Sequence, residues 1–137
     1  MERDNIMNKA AQFLADSQVF YLATVENDQP RVRPFGAVME WEGKTYICTN
    51  NKKDVFAQIL KNPKVEISAM DKDGRWIRIS GKLTPDNRKE AREAMLTAVP
   101  SLKNMYKADD GIYEVLYFTE ATASIYSFGG EPEVINL

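Results

Sequence analysis

The residues best suited to chemistry in this chain are cationic and cluster at two places. The first is Thr49-Asn50-Asn51-Lys52-Lys53-Asp54. Thr49 and the two asparagines are helix N-cap types, so a helix is expected to open here with free backbone N–H groups and the positive end of its dipole facing outward. Lys52 and Lys53 then fall at or just before the first turn, where a cation costs up to about 1 kcal/mol. A bound anion reverses that sign. A phosphate would accept the free amides and the Thr49 hydroxyl while Lys52 and Lys53 neutralise its charge. Two solvated lysines, with Asp54 as compensation, are the plainer alternative, and the segment by itself leaves both open.

The second place is Arg31-Val32-Arg33-Pro34-Phe35-Gly36. Read as a strand over 31–41, it puts Arg31 and Arg33 on one face with Phe35, Ala37, Met39 and Trp41, cationic at one end and apolar at the other. Pro34 has no N–H to donate, which confines the stretch to an edge or an interrupted sheet and leaves neighbouring backbone groups free. A planar, electron-poor heterocycle carrying carbonyls could lie along it, held by backbone N–H and guanidinium groups. An edge strand protected by charge and proline is the commoner explanation of such a pattern.

Composition narrows the choices further. The chain has 137 residues, 44% hydrophobic and 28% charged, which suits one domain over 1–137 with a substantial core. With no histidine and a single cysteine, Cys48, a Ser-His-Asp or Cys-His nucleophile, a His-ligated zinc or haem, an intramolecular disulfide and a multi-cysteine metal site are all excluded. Asp71 and Asp73 lack the remaining ligands of a calcium loop, Glu131 and Glu133 sit in a polar tail, and no metal site is expected. The net charge of -2 gives no field that favours nucleic acid or an anionic membrane. The polar opening Met1 to Ala10 has no apolar core, and no apolar run is long enough to span a bilayer, so a cytoplasmic protein is expected.

The elements that must position these residues follow from periodicity. Ile6, Met7, Ala10, Phe13 and Leu14 recur at helical spacing, and the helix ends near Asp16-Ser17. Strands are expected over 19–25 and 31–41, with turn chemistry at 26–30, and over 44–49 after a Glu42-Gly43 turn. A short helix over 54–62 carries Val55, Phe56, Ile59 and Leu60 on one face, and Asn62-Pro63 stops it. Strands 64–70 and 75–83 flank an Asp71 to Gly74 turn, with Trp76, Arg78 and Ser80 opposite Ile77 and Ile79. Thr84-Pro85 reads as the start of a helix ended by Pro100, and a short helical or irregular piece covers 101–108. Two strands, or one broken near Thr119-Glu120, cover 112–128. Short turns require antiparallel pairing, and a sheet of this size closes to hide its edges. The expected fold is mainly β: a small antiparallel barrel of Greek-key type with three to four flanking helices.

These segments, in this order, resemble the pyridoxamine 5'-phosphate oxidase-like family of FMN-binding split barrels. The resemblance runs from about Phe13 to Phe128. It rests on Phe20-Tyr21-Leu22-Ala23-Thr24, Pro30 to Phe35, Tyr46 to Lys53, Asn62-Pro63-Lys64-Val65 and Trp76 to Gly81. It implies a homodimer with FMN in grooves between subunits. Arg31, Val32, Arg33 and Pro34 would run along the isoalloxazine and ribityl chain, and Thr49, Asn50, Lys52 and Lys53 would hold the phosphate end. Trp76 would touch the flavin, and Tyr126-Ser127-Phe128 would close the site from the partner subunit. Arg31 or Arg33 near the flavin's pyrimidine end would stabilise the charge of the reduced form.

The tail from Gly129 to Leu137 lacks the Trp- and Arg-containing ending of the true oxidases, so the likeness is greater to the short bacterial members grouped with nitroimidazole-resistance reductases. The function this implies is an FMN-dependent oxidoreductase acting on a small-molecule electron acceptor, with no catalytic side chain yet assigned. The alternatives are a non-catalytic flavin-binding or sensing module, or a relative that binds deazaflavin or haem.

Overall fold

The computed structural model describes residues 7–137 and contains one twisted antiparallel sheet wrapped by helices. Helix α1 spans Lys9–Ser17, with Asn8 as its N-cap accepting from Ala11 N at 2.7 Å. Ile6, expected on its apolar face, lies outside the described residues. Strands β1 (Phe20–Glu26) and β2 (Gln29–Phe35) form the first hairpin, turned by Asn27 at φ 57. Strands β3 (Val38–Trp41) and β4 (Lys44–Asn50) form the second, turned by Glu42 and Gly43, both at positive φ. Helix α2 (Asp54–Lys61) leads to β5 (Lys64–Met70) and β6 (Trp76–Asp86). Helix α3 (Lys89–Ala98) and a 3₁₀ helix (Pro100–Asn104) precede β7 (Tyr113–Tyr126) and β8 (Glu133–Asn136).

The pairing order β2-β1-β5-β6-β7-β4-β3, with β8 added to β7, explains how a sheet becomes a split barrel. β2 and β3 are the two ends of that path, yet Gly36 and Ala37 alone connect them along the chain. The sheet must therefore curl until its edges meet. Among the described residues no ladder joins β2 to β3, so the barrel is closed by the chain and remains open in its hydrogen bonding.

Three sequence expectations are corrected. The strand over 31–41 is two strands at opposite edges, so its face is not continuous. Thr84, Pro85 and Asp86 belong to β6, where Pro85 pairs with Leu116, and α3 starts later with Arg88 as its N-cap. The sequence pattern predicts no element in the polar tail beyond Phe128, but 133–136 adds β8 to β7, and Glu133 pairs with Lys9 at 2.6 Å. The region over 112–128 proves to be one strand, bent where Glu120 takes φ 48 and the register shifts opposite Gly81. A Cβ at position 81 would lie 2.5 Å from Ala121 Cβ and 2.8 Å from its Cα, so glycine is required at this bend.

β4 divides the interior. Ile47 points into the barrel core with Phe20, Leu22, Ile67, Ile77, Ile79, Leu116 and Phe118, sealed by Phe13 and Leu14 of α1 and by Phe56 and Ile59 of α2. Tyr46 and Cys48 face the other way, into a smaller core with Met95, Leu96, Leu102 and Tyr113 beneath α3 and the 3₁₀ helix. On α2 the buried face is Val55, Phe56, Gln58 and Ile59, whereas Leu60, expected there, is 61% exposed.

Candidate functional site

A cleft of about 340 Å³ opens where the barrel splits. Its walls are the β2–β3 junction (Pro34, Phe35, Gly36, Ala37), the end of β4 with the start of α2 (Cys48, Thr49, Lys53), and the segment after α3 (Val99, Ser101, Leu102, Met105, Tyr106). These three parts are distant in sequence. They converge because curling the sheet carries the end of β2 round to β4, and because the second core holds the 3₁₀ helix against β4.

The loop between β4 and α2 is built differently from the expectation. β4 runs through Asn50, so neither Thr49 nor the asparagines cap α2; the N-cap is Lys53, and no side chain caps the helix. The asparagines shape the loop instead. Asn51 Nδ2 donates to Gly111 O at 2.9 Å and to Glu114 at 3.0 Å, and Asn51 N donates to Ile112 O at 2.8 Å. Asn50 Oδ1 accepts from Lys52 N at 3.0 Å, and its Nδ2 donates to the Tyr106 hydroxyl at 2.8 Å. Phe56 N donates to Lys53 O at 3.1 Å, whereas the amides of Asp54 and Val55 have neither a backbone acceptor nor a side-chain cap among the described residues. Among the described residues neither Lys52 nor Lys53 has an acidic partner within ion-pairing distance, so Asp54 does not neutralise them. Burial pushes the Cys48 thiol up to about 12, opposed by the positive charge of Lys53.

β2 carries its two arginines on the barrel side, since Arg31 pairs with Thr24 and Arg33 with Leu22. Arg33 is tied down. Its guanidinium donates to Thr24 Oγ1 at 2.8 Å, to Leu22 O at 3.1 Å and to Gln58 Oε1 at 2.8 Å, and Thr24 also donates to Gln58 Oε1 at 2.5 Å. Thr24 and Gln58 are both buried, and burial together with Arg31 lowers the Arg33 pKa. Arg31 is exposed and meets Glu26 at 2.9 Å. Val32 and Pro34 point outward, and Val32 is 67% exposed.

That outer face is apolar over a wide area. Tyr21, Val32, Met70 (63% exposed) and Phe128 (88%) lie bare. Trp76 stacks on Tyr126 with centroids 5.4 Å apart and touches the Phe128 ring at 5.7 Å. Trp76 does not line the cleft; it stands three strand spacings from β2, roughly 14 Å away across β1 and β5.

Of the residues singled out in the sequence, then, Pro34, Thr49 and Lys53 share the cleft. Asn50 and Lys52 shape its rim, Arg31, Val32 and Arg33 lie along the strand leading to it, and Trp76 stands apart. Sequence reasoning missed Tyr106, Thr24 and Gln58. It also missed the Asp86 cluster, in which buried Asp86 accepts from Tyr46 OH at 2.6 Å and from Arg88 at 2.9 Å, while Arg88 also meets Glu42 at 2.9 Å and covers the Trp41 ring. Only a polar residue on an apolar helix face, as at Gln58, gave a local signal.

An antiparallel barrel with unpaired edges and a cleft at the split defines a split-barrel protein. The chain belongs to the pyridoxamine 5'-phosphate oxidase family, whose profile matches residues 6–119. Among solved structures, it is 59% identical to a NimC/NimA family protein from Clostridium acetobutylicum, with a TM-score of 0.92 over 94% of this chain and 90% of that one. General stress protein 26 from Bacillus anthracis is 20% identical with a TM-score of 0.74, covering 93% of this chain and 95% of that one. A pyridoxamine 5'-phosphate oxidase-related, FMN-binding protein from Nostoc punctiforme is 14% identical with a TM-score of 0.60, covering 93% and 91%. No curated protein matches the sequence significantly.

Proposed function

We propose that the chain is a single FMN-binding domain over 1–137 that works as a homodimer and passes electrons to a small-molecule acceptor. The observation that carries this reading is the cleft itself: a helix N-terminus with no side-chain cap, the buried Thr49 hydroxyl and Lys53, with Lys52 on the adjoining loop and neither lysine having an acidic partner among the described residues, meet where an edge strand begins an apolar outer face. That donor set suits a phosphate, and the adjoining face suits a planar ring.

The residues divide the work. Thr49, Lys52 and Lys53 hold the phosphate end, with Asn50 fixing the loop that presents them. Val32 and Pro34 offer the outer surface of β2 to the ring, and Arg33 holds that strand from behind through Thr24 and Gln58. Arg31, exposed at the strand's far end, would have to exchange its pairing with Glu26 for the negative charge of a reduced ring system in order to stabilise it. Bound FMN supplies the electron transfer, so no acid–base side chain is obligatory. Trp76 and Phe128 reach the ligand from the partner subunit, since covering the bare outer face with a second copy brings one aromatic ladder against the other cleft. Among the described residues no helix is long and apolar enough to cross a membrane. A cytoplasmic setting fits a lone reduced Cys48.

The test is the visible spectrum of untagged protein, followed by reconstitution with FMN and assay with nicotinamide donors. The expected result is about one FMN per subunit in a dimer, with acceptor-dependent turnover. Tight FMN binding without turnover would make it a flavin carrier or sensor. No saturable uptake and no thermal stabilisation by FMN would overturn the reading.

A further inference from the structure

Tyr106 lines the cleft from the third wall, and its hydroxyl is oriented before any ligand arrives. The ring stacks on buried Tyr113 with centroids 4.9 Å apart and planes 20° from parallel, which restrains it from swinging. Asn50 Oδ1 accepts the Lys52 N–H, and this fixes the carboxamide so that its Nδ2 meets the phenol oxygen. A carboxamide nitrogen can only donate. The phenol oxygen is therefore the acceptor, and its own O–H is left to donate elsewhere. Among the described residues no protein group accepts that proton. The cleft that Tyr106 lines is shared with Thr49, Lys53 and Ser101 and with apolar Leu102 and Met105.

The geometry points to Tyr106 as a ligand-binding residue that donates a hydrogen bond to a phosphate oxygen of the bound molecule. A held O–H donor in the same cleft as Lys53, which has no acidic partner among the described residues, suits an anionic oxygen better than a ring carbonyl, because a charged acceptor roughly doubles the strength of the bond. Asn50 then acts as a positioning residue, joining the loop that carries Lys52 and Lys53 to the wall after the 3₁₀ helix. This rests on the flavin reading above and adds to it a phosphate donor outside the short motifs on which the sequence resemblance rests.

The experiment compares parent, Tyr106→Phe and Asn50→Ala proteins by fluorescence titration with FMN and with riboflavin, which lacks the phosphate. Tyr106→Phe keeps the stack on Tyr113, so its melting temperature should stay within about 2 °C of the parent. It should weaken FMN binding about tenfold and leave riboflavin binding unchanged. Asn50→Ala should weaken FMN binding by about threefold, again without changing riboflavin. If Tyr106→Phe binds FMN as the parent does, or loses FMN and riboflavin equally, the assignment is overturned while the flavin reading stands. If the parent binds neither, both are overturned together.

Discussion

Two cationic groups flank α2, and the structure treats them in opposite ways. Arg33 reaches the helix midpoint, where Gln58 and Thr24, both buried, and a backbone carbonyl accept its protons. Lys52 and Lys53 stand at the helix start, with no acidic partner among the described residues and with the dipole against them. The first arrangement is complete without a ligand and holds the edge strand to the barrel. The second is destabilising as it stands and becomes favourable when an anion arrives. Positive charge in a sequence therefore does not mark a ligand contact; what separates a clasp from a site is whether the protein supplies the acceptors.

Breaking the clasp should have the largest effect. Arg33→Ala leaves Gln58 and Thr24 short of a donor in a buried setting, a loss of roughly 2–3 kcal/mol, or a fall in melting temperature of about 6–12 °C. Flavin binding should weaken with it, because β2 is freed at its edge. Gln58→Ala should reproduce most of the loss, and the double variant should cost clearly less than the two singles combined, as expected for one network. An Arg33→Ala protein as stable as its parent yet unable to bind FMN would instead place Arg33 among the ligand contacts.

The other half of the comparison predicts the opposite sign for stability. Lys53→Ala removes an unfavourable charge at the helix start, so the ligand-free protein should be unchanged or stabilised by a few tenths of a kcal/mol. FMN binding should weaken about 10-fold, measured by titration, and more salt should weaken the parent's binding toward that of the variant. A loss of stability in Lys53→Ala would erase the distinction between the two groups.

A smaller effect is expected at Asp86, which lies away from both. Hydrogen bonds from Arg88, then from Tyr46, hold its carboxyl well below the usual carboxylate range, against the opposing pull of burial. A depressed folded pKa contributes stability that is present above the unfolded value near 4 and lost as pH falls through the folded one. Asp86→Asn should therefore destabilise the protein at pH 7 and flatten its stability profile below about pH 4, followed by thermal melts from pH 7 to 2. FMN affinity at pH 7 should be unchanged, because this cluster pins β6 and α3 rather than the cleft.

The elements of this fold were legible in the sequence wherever local chemistry determined them. The Glu42-Gly43 turn, the Asn62-Pro63 stop and the alternation of Val65, Ile67 and Ala69 each act within a few residues. The closure of the barrel was legible only as a class, since nothing near Gly36 says that β2 and β3 are opposite edges; that follows from pairing across the whole sheet. Thr84-Pro85 misled because a good helix start was overridden by the β6 ladder with β7. In the site, the lysines announced themselves through conflict with the helix dipole. The Arg33 clasp and Tyr106 were silent, because their partners are 25 and 56 residues away along the chain.

Cys48 reports on the boundary between the two groups, with the smallest consequence for the fold. Its thiol faces the second core yet touches the cleft wall near Lys53. With the thiol pushed up to about 12 by burial, roughly one molecule in ten thousand carries the reactive thiolate at pH 8. Alkylation by iodoacetamide should therefore run at least a hundredfold slower in the folded protein than in denaturant. The positive charge of Lys53 favours the thiolate, so Lys53→Ala should slow the reaction further, by a few-fold, and FMN should protect the parent. If Lys53→Ala instead accelerated labelling, the lysine would be shielding the cleft rather than charging it, and its place as an anion ligand would fall.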